Sequence, residues 1–276
     1  MTTIAPPTKC PSCGSYRAGR YCAECGERFL SSDDLQLKHF LFEQLPHECL
    51  HVDGKLPRTL RLLFSKPGAL GVNYVEGRRQ RFVGPLRIYL VLFLLHLFMS
   101  ATLGGVGASL PERVRDFDAF GILSHLMQTR PNVNWQSPII VSHVREYGRW
   151  LSEVATLLIF IVVAIVQKWI FWRQHRRYLE HVALALNVAS FFMAVFVIGE
   201  LLVCAVSPHR FGESDALLQS LLGMSALPIY WFLAIRRFYG LKMLPAAAAA
   251  IVVTAAHAIV ALGLNTIVYA ILIRTA

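Results

Sequence analysis

Five apolar stretches set the terms for this chain: residues 84–103, 151–170, 181–206, 216–235 and 244–273. Each approaches or exceeds the ~20 residues a helix needs to cross a hydrocarbon core about 30 Å thick. Backbone in lipid must satisfy its own hydrogen bonds, so stretches of this kind imply helices. Charged residues make up only 16% of the chain and mean hydropathy is +0.49, whereas soluble domains carry about a quarter charged residues. The expected fold class is an all-α membrane bundle of five transmembrane helices. The fifth stretch exceeds an upright crossing, so it should tilt, break near Gly263 or extend into the interface. Pro228 is placed to kink the fourth. Met1–Lys9 has no apolar run of the signal-peptide kind, so the first span should itself direct insertion.

Basic residues orient the bundle. Residues 55–87 carry eight Lys/Arg against one acid, Glu76. Lys168, Arg173, Arg176 and Arg177 follow the second span, and Arg236, Arg237 and Lys242 follow the fourth. The alternate connections are poorer: residues 104–150 offset five arginines with four acids, and only Arg210 and Arg274 mark the other two. Lys and Arg concentrate on the cytoplasmic side. The N-terminus should therefore lie inside, the C-terminus outside, and 104–150 form an extracytoplasmic excursion with a short helix near 117–128. Basic composition alone also fits nucleic-acid binding, but this placement favours membrane lipids with anionic head groups as partners.

The N-terminus carries Cys10-Pro-Ser-Cys13-Gly14 and Cys22-Ala-Glu-Cys25-Gly26. Each C-x2-C pair makes a tight knuckle, and two knuckles complete a tetrahedron of sulfurs around one ion. So short a connection buries too little core to fold without a metal. The expected cofactor is structural Zn2+, held by Cys10, Cys13, Cys22 and Cys25; four thiolates also hold iron. A closed set leaves no open position for catalysis, and two paired knuckles argue against a redox dithiol. Cys49 and Cys204 read as ordinary buried thiols. Lys9, Arg17, Arg20 and Arg28 interleave with Tyr16, Tyr21 and Phe29, while Glu24 and Glu27 dilute the charge. Nucleic acid is disfavoured, and a protein-docking or solvated face preferred. Residues 1–9 thus form a disordered lead, 10–30 a zinc ribbon, 31–83 cytoplasmic juxtamembrane amphipathic helices, and 84–276 the transmembrane domain. In 31–83, Pro67 suits the first turn of a helix after Lys66.

Residues 50–90 add distinctive motifs: Asp53-Gly-Lys55…Arg58-Thr59, then Lys66-Pro67-Gly68, then Gly77-Arg78-Arg79-Gln80-Arg81-Phe82-Val83-Gly84-Pro85-Leu86-Arg87-Ile88-Tyr89-Leu90. With the cysteine head, with His181-Val-Ala-Leu-Ala-Leu and with Arg236-Arg-Phe-Tyr-Gly240, this resembles the bacterial membrane-protein family DUF3667. The resemblance implies the architecture above in a bacterial inner membrane, and no activity. Asn187 stands where the family pattern has His, so a family-type His site is not expected there.

Arg78, Arg79, Arg81 and Arg87 should contact lipid phosphates, each contributing about 1 kcal/mol near an anionic surface. A sharper alternative holds a phosphate-bearing ligand between them and the Glu180–His181 pair at the membrane surface. His96, Glu200 and His257 are ionisable groups within spans, and such groups are functional candidates by default. Interhelical hydrogen bonding is their bland role, a proton or cation relay the sharp one. No nucleophile elbow, P-loop or HExxH helix is present, which leans against an enzyme. The expected function is a non-enzymatic scaffold or sensor whose cytosolic head docks a protein partner at the membrane. The alternative is a small transporter or channel, built as a homo-oligomer, using His96, Glu200 and His257.

Overall fold

A computed structural model describes residues 9–16, 19–29, 54–102, 118, 121–206 and 226–275. After the cysteine head come α1 (Leu56–Ser65), α2 (Ala69–Val75), α3 (Pro85–Thr102), α4 (Ile122–Gln128), α5 (Pro138–Ile170), α6 (Tyr178–Val206), α7 (Leu227–Tyr239) and α8 (Met243–Thr275). Among the described residues the structure is helical, apart from single antiparallel bridges Lys9–Tyr16 and Tyr21–Arg28.

Two helices, over Tyr178–Gly199 and Met243–Thr275, are long and apolar enough to cross a membrane; shorter apolar helices cover Pro85–Met99 and Val154–Ile170. Residues 216–225 of the fourth expected span lie outside the described residues. So do Cys49, Arg17 and residues 31–53 of the expected juxtamembrane helices. Helix α5 begins at Pro138, not near Leu151, because Ser137 caps it: the hydroxyl accepts the Ile140 amide at 3.3 Å and Pro138 occupies the first turn. Pro228 lies in the first turn of α7, and the upstream residues of the span it was expected to kink lie outside the described residues. Helix α8 runs through Gly263 without a break. At ~1.5 Å per residue its 33 residues measure about 50 Å, so it outruns a 30 Å core.

Helix α6 is the axis of the bundle, meeting α1, α2, α3, α5 and α7, while α8 lies along α5 and α7. The side of α8 that joins the core is built of small residues, Ala246, Ala249, Ala250 and Val253, which let backbones approach closely. Leu244, Ile251 and Ile259 point outward and are 84%, 67% and 70% exposed, an apolar skin suited to hydrocarbon.

Helices α1 and α2 are not merely laid on the surface. They form a hairpin wedged into the bundle through Lys66-Pro67-Gly68. Pro67 falls just before α2 and not in its first turn; Gly68 is the residue that starts it, with φ of +77°. The Gly68 amide donates to Asn187 Oδ1 of α6 at 3.3 Å, and Tyr230 of α7 donates its hydroxyl to the Leu63 carbonyl at 2.9 Å. Arg237 donates to the Pro67 carbonyl at 2.6 Å. From there α2 runs back along α6: Gly71 faces Leu184, and Tyr74 packs with Leu179 and Ala183. Asn187 is thus the acceptor that seats the hairpin. Thr59 of α1, fully buried, accepts the Val83 amide at 3.0 Å and fixes α1 against the start of α3.

Candidate metal centre

The two knuckles are copies offset by twelve positions. Gly14 and Gly26 donate to the carbonyls of Cys10 and Cys22, each at 2.9 Å, and Cys10 and Cys22 donate to the carbonyls of Ser15 and Glu27, each at 2.8 Å. Both glycines take positive φ, 81° and 71°, a conformation that disfavours any side chain. The copies bring the Sγ atoms of Cys10, Cys13, Cys22 and Cys25 within 4.8 Å of one another. Cys10–Cys25 and Cys13–Cys22 are 3.6 and 3.4 Å apart. A tetrahedral ion with metal–sulfur bonds of about 2.3 Å needs sulfur edges of about 3.8 Å, so the four cysteines fit one metal ion with a slight expansion. Such an ion would cross-link the knuckles; with four sulfurs it has no vacant position for substrate.

Ser15 tunes the sulfurs. Its hydroxyl lies 2.9 Å from Cys13 Sγ and 3.0 Å from Cys22 Sγ. That contact lowers the Cys13 thiol and brings Cys22 down to about 6, whereas burial pushes Cys25 up to about 12. Cys22 is therefore poised to meet a cation as thiolate, and loading the site must displace the Cys25 proton.

At the position equivalent to Ser15, Glu27 turns away from the sulfurs and is 1% exposed. Its Oε2 accepts the amides of Arg79 at 3.0 Å and Gln80 at 2.8 Å, plus the Ser12 hydroxyl at 2.5 Å. Gln80 returns a bond from Nε2 to the Gly26 carbonyl at 3.1 Å. One carboxylate oxygen thus ties both knuckles to the turn that leads into α3. Charge-assisted bonds of this type are among the stronger ones. The sequence reading counted Glu27 only as charge dilution. The signal that could have singled it out is the twelve-residue offset, which aligns it with Ser15 and leaves its different chemistry unexplained.

Residues 53–97 match the family model DUF3667, a protein of unknown function. The matched segment takes in the Asp53–Leu90 motifs on which the resemblance was read, whereas the cysteine head, the His181 stretch and the Arg236–Gly240 loop lie outside it. The DUF3667 segment covers α1, α2, the Glu27-bound turn and most of α3. No curated protein and no solved structure matches the chain.

Within the DUF3667 segment the four arginines go to different ends. Arg78 donates to Asn73 at 2.8 Å and pairs with Glu76. Arg79 stacks over Tyr74 at 4.0 Å and donates to the Tyr74 carbonyl at 3.3 Å. Arg81 is exposed, and Arg87 is half-buried. Arg79 is not brought to His181. Tyr74 beneath it packs on Leu179 and Ala183, and two residues along a helix is about 200° of rotation. Glu180 pairs with Arg176 at 3.0 Å, while fully buried His181 meets the Tyr239 hydroxyl at 2.6 Å. Tyr239 in turn donates to Gln167 at 3.3 Å, and Phe171 stacks on its ring at 3.8 Å. Gln167 carries no mark in the sequence, whereas Tyr239 belongs to the Arg236–Gly240 motif.

His96 on α3 lies 6.4 Å from the Phe196 ring of α6. His257 is half-buried on α8, whose main neighbours are α5 and α7. The two histidines therefore sit on helices with different principal partners. The Glu200 side chain lies outside the described residues. In the head, Phe29 is buried with Cys10 and Cys22, whereas Tyr16 and Tyr21 are 78% and 60% exposed.

Proposed function

We propose that this chain is a non-enzymatic, multi-pass membrane sensor whose metal-bound head latches the approach to its first span and presents Tyr16 and Tyr21 to a protein partner. The observation that carries this reading is the buried Glu27 carboxylate bonded to the Arg79 and Gln80 amides. Glu27 closes one knuckle and Ser12 belongs to the other, so the latch has its geometry only while both knuckles stand together. A zinc ion held by the four cysteines would fix that arrangement. Thr59 then relays the position of the turn to the α1–α2 hairpin through the Val83 amide. Five spans in a bacterial inner membrane, with the head in the cytosol and the C-terminus outside, are part of the same proposal. The distribution of Lys and Arg supports that orientation.

The test is limited trypsin digestion of the full chain in detergent, with and without a chelator. With metal, the peptide bonds after Arg78 and Arg79 resist cleavage, because Glu27 holds the Arg79 and Gln80 amides. Chelation, Cys10→Ser with Cys22→Ser, or Glu27→Ala should each expose them, while the cleavage sites of the α5–α6 connection stay unchanged. An identical digestion pattern after metal loss refutes the latch.

A further inference from the structure

The outer side of α1 carries Arg58, Arg61, Ser65 and Lys66, all exposed, and none of the three cations has a side-chain partner among the described residues. No acid occurs from Gly54 to Val75 to neutralise them. Their depth makes them unusual. Gly68, two residues beyond Lys66, sits against Asn187 and Ala234. Those positions are nine residues along α6 from Tyr178 and five along α7 from Tyr239. At helical rise this places the hairpin tip about 8–14 Å below the basic ends of those helices. Phe64, 41% exposed beside Lys66, packs on Phe191 of α6 at 5.4 Å.

We infer that the outer face of α1 is a binding site for an anionic phospholipid, with the phosphate held by Arg61, Ser65 and Lys66 and an acyl chain lying on Phe64. Exposed cations flanking apolar helices at that depth are not left to hydrocarbon; they draw a counter-charge or reach for the surface. A lipid phosphate supplies the charge, met by the Arg61 and Lys66 side chains reaching up toward the headgroups, and its chain covers the neighbouring ring. The site differs from the Arg78–Arg87 cluster, where Arg78 and Arg79 are already spent on Glu76, Asn73 and Tyr74. The inference rests on the membrane reading of the bundle.

The full chain, delipidated in detergent, is titrated with phosphatidylglycerol, phosphatidylcholine and glycerol phosphate, and bound lipid is counted by native mass spectrometry. Phosphatidylglycerol should be preferred over phosphatidylcholine. Arg61→Gln and Lys66→Gln should each weaken it about fivefold, and together about 30-fold, at the strength expected of one basic residue per phosphate surface. Lys66→Arg should retain it, and Arg81→Gln should leave it unchanged. A double variant that binds phosphatidylglycerol like the parent overturns the site. So does a parent with no preference between the two lipids, or glycerol phosphate competing as well as the lipid does. Carbonate extraction of cell membranes separates the two layers of the argument: a chain released with soluble proteins refutes the membrane reading itself, whereas a retained chain without lipid preference refutes only the site.

Discussion

Replacing Gly68 by Ala tests the seating of the hairpin most directly. Gly68 has φ of +77°, and a Cβ there would lie 2.8 Å from the Ala234 carbonyl oxygen and 2.9 Å from its Cα. Both atoms belong to α7 backbone, so no side-chain rotation relieves the clash. Gly240 provides an internal reference: its φ is +65°, but a Cβ would meet nothing within 4 Å. Gly240→Ala should therefore cost only the left-handed strain, about 1–2 kcal/mol. Gly68→Ala should add an overpacking cost of about 1–3 kcal/mol, for a total of about 2–5 kcal/mol. At roughly 2–4 °C per kcal/mol for a chain of this size, the two variants should differ in Tm by several degrees. Thermal unfolding in detergent, followed by circular dichroism, reads the difference. Equal Tm values for the two variants would refute the claim that Lys66-Pro67-Gly68 is wedged against α7.

Two further outcomes follow from local geometry. Thr59→Val keeps shape but leaves the buried Val83 amide without its acceptor, which should cost about 1–3 kcal/mol; Thr59→Ser should stay near the parent, and the same unfolding assay compares them. Asp118 supports the start of α4 by accepting the Leu123 and Ser124 amides, each at 2.8 Å. Burial pushes its carboxyl up, but the bonds from Ser124, Leu123 and Ile122 outweigh it and hold the carboxyl below its ordinary value. A folded value below the unfolded one means the stabilisation is complete above the ordinary carboxylate range of about 4 and disappears as pH falls through the folded value. Hydrogen exchange of the α4 amides should thus be slower in the parent than in Asp118→Ala at neutral pH, and the gap should close in acid. A gap that persists below that range would show that the carboxylate is not its source.

Spacing made the metal centre legible, because C-x2-C fixes a knuckle whatever surrounds it. Apolar length placed α3, α6 and α8, since a long uninterrupted apolar run marks a helix by composition alone. The start of α5 was hidden: Ser142, Arg145 and Glu146 interrupt the apolar run, and Pro138 reads as a loop residue unless Ser137 is recognised as its cap. Glu27 and the 79–80 turn are more than fifty residues apart in the sequence, and a backbone amide leaves no mark on residue type. Arg78 and Arg79 carried the opposite difficulty. Their charge pointed to phosphate, while the nearby Tyr74, Asn73 and Glu76 that engage them are invisible to a count of basic residues. The depth of α1 and α2 was likewise unreadable, because an amphipathic pattern says which side is buried and not what it is buried in.

The trio at the foot of α5, α6 and α7 has a directional sense. Tyr239 owns a single hydroxyl proton. With the Gln167 carbonyl facing it, that proton goes to Gln167, and the imidazole of His181 supplies the hydrogen for the 2.6 Å contact from Nδ1. With the amide turned over, Gln167 donates and the hydroxyl proton goes to His181. An amide that never touches the ring thus chooses its tautomer, and a glutamate at position 167 would enforce the same choice, whereas a side chain offering only donors would reverse it.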